Sequence, residues 1–251
     1  MEKYFDINED KINIKCKMYC NDIKNINRIL ISCHGFGGSK ENNASKKLSE
    51  EILNKYDDIA ILTFDWPCHG TDVRKKISLV DCDIYYKKVI EYAKKRFNTD
   101  EIYLNATSFG GYLSLKYIHE HGSPFKRIIL RCPAVTMLNV LNNNILTDEN
   151  KELLSKNKKI EFGFDRKFII TKDFLNELEN NNVMNYDYKC FKDIMIIYHG
   201  TNDELVPLDD VRLFCSKNEI KLIEVEGADH RFQDPSKISK FVKEGTKFLF
   251  D

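Results

Sequence analysis

The sequence carries no excess of charge of either sign: 39 lysines and arginines face 39 aspartates and glutamates in 251 residues. A balanced chain makes no overall field for nucleic acid or for an anionic membrane, so neither is expected as a partner. Also missing is any run of roughly 18 apolar residues, which excludes an ordinary spanning helix. Residues 1–11 are mostly polar, broken by Tyr4, Phe5 and Ile7, so no signal peptide is expected. The eight cysteines show no C-x-x-C spacing, and Cys33 and Cys132 each follow an apolar run. Free buried thiols are therefore expected rather than disulfides or zinc ligands, in a soluble, cytoplasmic protein. No internal repeat or low-complexity linker divides the chain, and residues 1–251 are expected to fold as a single domain.

What is present is an alternation of two patterns. Residues 4–7 read as a short strand and Asn8-Glu9-Asp10 as a turn. Ile12, Ile14, Cys16 and Met18 then alternate with polar residues, completing a hairpin. Continuous apolar runs follow at 28–33, 59–64, 101–104, 127–131, 193–198 and 220–225. Runs of this length, rich in isoleucine, suit parallel strands buried on both faces. Helical stripes separate them, at Leu48-Ile52-Leu53, Ile84 to Ala93, Tyr112 to Ile118, 206–214 and 238–248. The expected fold class is α/β, a mostly parallel twisted sheet with helices on both faces.

One stretch, about 133–190, breaks the alternation with a polar, Asn- and Lys-rich insertion. Within it, 159–162 and 167–170 are placed to pair around Gly163-Phe164-Asp165, and Thr171 to cap a helix through Leu178. A structureless loop of this length is uncommon in a compact domain, so a small cap over the sheet edge is expected.

Four motifs sit just past predicted strands. In Asn105-Ala106-Thr107-Ser108-Phe109-Gly110-Gly111, small residues flank a serine between a strand and a helix, where a tight turn lifts the hydroxyl above the sheet. The usual G-x-S-x-G has alanine at its first position here. His34-Gly35-Phe36-Gly37-Gly38-Ser39 lets backbone approach a ligand and supplies N–H donors; it lacks the spacing of a phosphate loop. The amides of Phe36 and Phe109 are the natural pair to hold an oxyanion. His199-Gly200-Thr201-Asn202-Asp203-Glu204 offers an acid, Asp203 with Glu204 as fallback. Glu226-Gly227-Ala228-Asp229-His230-Arg231-Phe232 offers His230 as a base able to exchange a proton near neutrality. Ser, Asp, His is the chain order of one known triad arrangement, and sheet ligands gather beyond the carboxyl ends of strands.

On these residues the chain resembles the α/β-hydrolase superfamily along nearly its whole length. Phe64-Asp65-Trp66-Pro67-Cys68-His69-Gly70-Thr71 is similar to the family's loop after its fourth strand, with Cys68 in place of the first glycine of G-H-G. The resemblance implies structural roles for Asp65 and His69. HGFGG, HGTNDELVP and GADHRF, with the size and position of the cap and its F-x-F hairpin, look most like the bacterial feruloyl and cinnamoyl esterase-like branch, and more distantly like monoacylglycerol lipases. What the resemblance implies is a serine carboxylesterase that needs no cofactor and no metal. Its nucleophile would be Ser108, its base His230 and its orienting acid Asp203. Relatives such as haloalkane dehalogenases carry aspartate at the elbow, and Ser108 sets this chain apart from them. The expected substrate is a small or medium ester, contacted at Gly35, Phe162, Phe164 and Phe168. A thioesterase or small-peptide hydrolase would share the machinery, and a pseudo-hydrolase would bind without turnover. The sequence says nothing of oligomeric state.

Overall fold

The computed structural model describes residues 1–9, 12–163 and 166–251. Its strands β1 (Glu2–Glu9), β2 (Ile12–Cys20), β3 (Arg28–Cys33), β4 (Ile59–Phe64), β5 (Ile102–Thr107) and β6 (Ile128–Arg131) enter one sheet. A two-stranded ribbon, β7 (Ile160–Phe162) and β8 (Phe168–Ile170), stands apart; β9 (Met195–Gly200) and β10 (Lys221–Val225) rejoin the main sheet. The order is β1-β2-β4-β3-β5-β6-β9-β10. From β4 to β10 all neighbours run parallel, and only β1/β2 and β2/β4 are antiparallel.

Burial explains the continuous apolar runs. Along β3, Leu30 faces one core cluster while Ile29 and Ile31 face the other, as the two-residue period of a strand requires. Helices α1 (Asn43–Leu53) and α8 (Pro235–Phe250) cover the Leu30 face through Leu48, Ile52, Ile238 and Phe241. Helices α2 (Leu79–Phe97), α3 (Phe109–His121) and α7 (Leu208–Asn218) supply Val89, Leu115 and Phe214 to the other cluster. The Asn42 side chain caps α1 by accepting from the Ala44 and Ser45 amides at 2.8 and 3.2 Å.

Three local expectations need correction. The strand β1 continues through Asn8 and Glu9, which pair with Asn13 and Ile12, so the turn does not begin at Asn8; Asp10 lies outside the described residues. The run at 220–225 is not buried on both faces: β10 is an edge, Leu222 and Ile223 are half-covered, and Lys221 and Glu224 face solvent. Thr171 does precede α6 (Lys172–Asn180), yet its hydroxyl makes no cap bond and is buried without a partner.

Between β6 and β9 the chain forms α4 (Met137–Val140), a π-helical turn at Leu141–Ile145, α5 (Asp148–Ser155), the ribbon and α6. This segment is fastened to the β4–α2 loop. The Ile77 amide donates to the Ile169 carbonyl at 3.2 Å, and Arg166 donates to the Cys68 and Arg74 carbonyls at 3.1 and 2.9 Å. A further bond runs from the Leu79 amide to Glu177 at 2.6 Å.

Candidate active site

Ser108 occupies the turn from β5 to α3 with φ 52° and ψ −118°, a conformation that side chains other than glycine avoid. The turn is held from both sides. The Ser108 amide donates to the Arg131 carbonyl at 3.1 Å, and its own carbonyl accepts from Tyr112 and Ala134 at 3.0 and 3.1 Å. Close packing dictates the small neighbours: a Cβ at Gly110 would lie 2.6 Å from the His34 carbonyl oxygen. Ala106, in the place usually taken by glycine, is fully buried opposite Cys33. The serine hydroxyl makes no cap bond to α3.

The loop after β3 lies against this turn. A Cβ at Gly35 would come within 3.0 Å of the Ser108 Cβ. Neither Phe36 nor Phe109 donates its amide to a described backbone acceptor. The loop is braced from β4: the Trp66 amide donates to His34 Nε2 at 3.2 Å, and the Trp66 indole donates to the His34 carbonyl at 3.0 Å. Asp65 accepts from the Lys40 amide and ammonium at 2.7 and 2.8 Å and from the Thr71 amide at 2.8 Å. Burial alone would raise the Asp65 carboxyl, but these donors hold it below its ordinary value. His69 donates Nδ1–H to the Pro67 carbonyl at 2.8 Å and leaves Nε2 buried without a partner. Burial pushes its imidazole down to about 3.

Asp203 and His230 come from the loops after β9 and β10, which touch through backbone. A Cβ at Gly200 would sit 2.2 Å from the Ala228 carbonyl oxygen, so only glycine permits the approach. The Asn202 amide donates to that carbonyl at 3.0 Å, and the Gly227 amide donates to the Thr201 hydroxyl at 2.8 Å. With the loops joined, His230 Nδ1 lies 2.8 and 3.0 Å from the two Asp203 oxygens. Asp203 also accepts from the Leu205 and Val206 amides at 2.9 and 2.8 Å. Its side chain is wholly buried, which by itself would raise its pKa; the His230 and Val206 bonds bring it below the ordinary value. The carboxylate is thus ionised and the imidazole donates from Nδ1, leaving Nε2 as its proton-accepting edge. Glu204, the alternative acid, instead accepts from the His230 amide at 3.2 Å.

Ser108 and His230 line one cavity of about 600 Å³, a size suited to a small-molecule ligand. Gly35 and Phe36 line it as well. Phe162 and Phe168 do not. Their rings pack against Phe36 at centroid distances of 5.5 and 5.4 Å, and Phe168 is buried. The insertion reaches the cavity through Met137, Val140 and Ile145 instead. Phe164 lies outside the described residues.

Sequence reasoning passed over two groups beside Asp203 and His230. His199 Nε2 lies 3.0 Å from the Val206 carbonyl and 3.3 Å from Asp203; burial lowers its pKa, so it stays neutral behind the acid. Arg131 ends β6, lines the cavity and donates Nη1–H to the His230 carbonyl at 2.9 Å. A charge closing the apolar run at 127–131 was the available signal. Among the described residues, two groups could offer a metal three ligands. Cys132, Asp203 and His230 bring their atoms within 4.8 Å, but burial raises the Cys132 thiol well above its ordinary value, disfavouring the thiolate a metal needs. Asp83, Glu120 and His121 form a surface cluster in which Lys116 already pairs with Glu120.

Comparison with known proteins agrees with this architecture. Est1E from Butyrivibrio proteoclasticus, solved with ferulic acid bound, superposes with a TM-score of 0.80 at 19% identity over 98% of this chain and 97% of that one. A soluble variant of monoglyceride lipase from Saccharomyces cerevisiae, solved with a substrate analog, gives 0.75 at 14% identity, covering 99% and 94%. Alpha/beta hydrolase domain-containing protein 10 from mouse gives 0.73 at 14%, covering 98% of each chain. No curated protein matches the sequence. Residues 28–166 match the family model described as the alpha/beta hydrolase fold, more than half of the chain, and the protein belongs to the α/β-hydrolase fold family.

Proposed function

We propose that the protein is a serine hydrolase cleaving carboxylic esters through an acyl-enzyme, with Ser108, His230 and Asp203 as its triad. The observation that carries this reading is His230, paired from behind with the buried Asp203, lining the same cavity as a serine held at positive φ. His230 takes the Ser108 proton at Nε2 as the alkoxide attacks the ester carbonyl. The Phe36 and Phe109 amides, which donate to no described backbone acceptor, receive the oxyanion, each contributing about 3 kcal/mol in chemistry of this kind. Protonated His230 then gives its proton to the leaving alcohol, and water repeats the sequence to free the acid. Asp203 keeps the imidazole in the Nδ1–H tautomer and balances its transient charge. The mechanism calls for no metal and no organic cofactor.

The same reading makes residues 133–190 a cap on a single 1–251 domain, shaping the cavity through α4 and the π-helical turn. A cytoplasmic setting fits eight unpaired cysteines, seven of them buried. The test is labelling by a fluorophosphonate probe, read as intact mass. One adduct per chain, absent from Ser108→Ala, is expected; an unlabelled wild-type protein that is folded by circular dichroism contradicts the assignment. Thioesters and peptide anilides beside nitrophenyl esters in one panel identify the bond cleaved.

A further inference from the structure

The charge lining the cavity departs from the balance of the chain. Among the described lining residues none is acidic, while Lys47, Arg131 and Arg231 are basic. The side chains of Lys47 and Arg231 are exposed and make no ion pair or hydrogen bond with a described residue. Arg131 is more telling. It is only 3% exposed, and its guanidinium lies 5.2 Å from the Phe232 ring centroid. Among the described residues the guanidinium makes one hydrogen bond, to the His230 carbonyl; Nε is buried without an acceptor there, and no described carboxylate lies within ion-pair distance. The negative charges it feels are those of Asp203, already bonded to His230, and Asp229.

A buried guanidinium without a carboxylate is costly, and a carboxylate or phosphate brought beside it would offset that cost with a geometry its planar fork matches. Its surroundings point the same way. Asn42, Asn43 and Ala44 bring the N-terminus of the eleven-residue α1 to the cavity wall; Asn42 takes the Ala44 and Ser45 amides, but no acid in the first turn offsets the positive end of the helix dipole. Apolar lining comes from Met137, Val140 and Ile145 of the insertion. The cavity thus joins an apolar part to a cationic part beside Ser108.

We propose that the substrate is an anionic ester, bearing a carboxylate or phosphate that Arg131, Lys47 and Arg231 receive while an apolar portion rests on the insertion. The inference rests on the hydrolase reading above and deepens it. Arg131 holds the anion by a charge-assisted hydrogen bond in a partly dry site, and the two exposed cations draw the anion in.

Matched nitrophenyl and acetoxy esters supply the test. The mono-4-nitrophenyl ester of glutaric acid is compared with its methyl-capped neutral counterpart, placing the charge on the acyl side. For the alcohol side, 4-acetoxybenzoate is compared with its methyl ester. The readout is kcat/KM, which excludes product release and so reports the substrate's own charge rather than that of the acid formed. An anionic preference of roughly tenfold or more is expected in at least one arm, declining with added salt; that arm identifies which side of the ester carries the anion. In Lys47→Gln/Arg231→Gln the anionic-to-neutral ratio falls severalfold, and in Arg131→Gln it falls further. The double variant changes only exposed residues, so the test stands even if Arg131→Gln does not fold. A ratio at or below one in both arms, in an enzyme that the fluorophosphonate labels at Ser108, overturns the anionic substrate and leaves the hydrolase reading intact. Absence of labelling overturns both.

Discussion

His230 and His69 are the same residue type in opposite surroundings. His230 borders the Ser108 cavity with Nδ1 on a buried carboxylate. His69 is sealed among the rings of Phe36, Phe109 and Phe168, bonded only to a neighbouring carbonyl. One imidazole has an ionised partner placed to stabilise its cationic form; the other, among the described residues, has no counter-charge in contact and an Nε2 without a partner. A histidine's chemistry is thus set by what its second nitrogen meets. On the proposed mechanism the loop after β10 carries the proton-transferring histidine, while the loop after β4 carries a histidine packed as an apolar brace.

Activity gives the largest contrast. We expect His230→Asn to lower kcat/KM for a nitrophenyl ester by about 10⁴-fold or more, and Asp203→Asn by a comparable factor through the wrong tautomer. His69→Asn retains a donor for the Pro67 carbonyl, and its loss should stay below about tenfold if its role is packing. Equal losses in all three variants would erase the distinction.

Acid stability sharpens it next. The buried His34, His69 and His199 all have pKa values lowered chiefly by burial, from an ordinary value of 6.5. The unfolded chain therefore binds more protons than the folded one below pH 6.5, and stability falls as pH drops from there toward about 3. Asp65 and Asp203, lowered from 3.8, add a loss of the same sign below that pH. His69 alone accounts for on the order of 3 kcal/mol between neutrality and pH 4. Urea midpoints measured at pH 7 and pH 4 should drop steeply in the wild type and less in His69→Asn; identical slopes would mean that His69 does not resist protonation.

The smallest effect concerns the turn itself. Ser108→Gly removes the side chain from a positive φ, whereas Ser108→Ala keeps the strain. Both abolish ester turnover, but the glycine variant should be more stable by about 1 kcal/mol, seen as a higher Tm. Equal melting temperatures would indicate a relaxed turn.

Much of this was legible in the sequence because parallel strands buried on both faces read as unbroken apolar runs, as at 28–33 and 59–64. The residues of the candidate site follow those runs directly, so their order along the chain anticipated the pairing of Asp203 with His230. The lining of the cavity was not legible. Phe162 and Phe168 have the composition of a pocket, but ring packing on Phe36 is a tertiary outcome that composition does not encode. Met137, Val140 and Ile145 sit in a short helix and a π-helical turn without a sustained period. Arg131 closes an ordinary strand, and only the fold reveals that among the described residues its guanidinium meets a backbone carbonyl and no carboxylate.

Trapping the acylated protein tests the central claim most directly. A nitrophenyl ester is mixed with enzyme, quenched in acid within the first turnovers, and the digested chain is mapped by mass. The account predicts one acyl group on the peptide containing Ser108, forming far more slowly in Asp203→Asn than in wild type. Nitrophenol release by the wild-type enzyme with the acyl group on another residue, or an acyl-Ser108 that forms equally fast without His230, would contradict it.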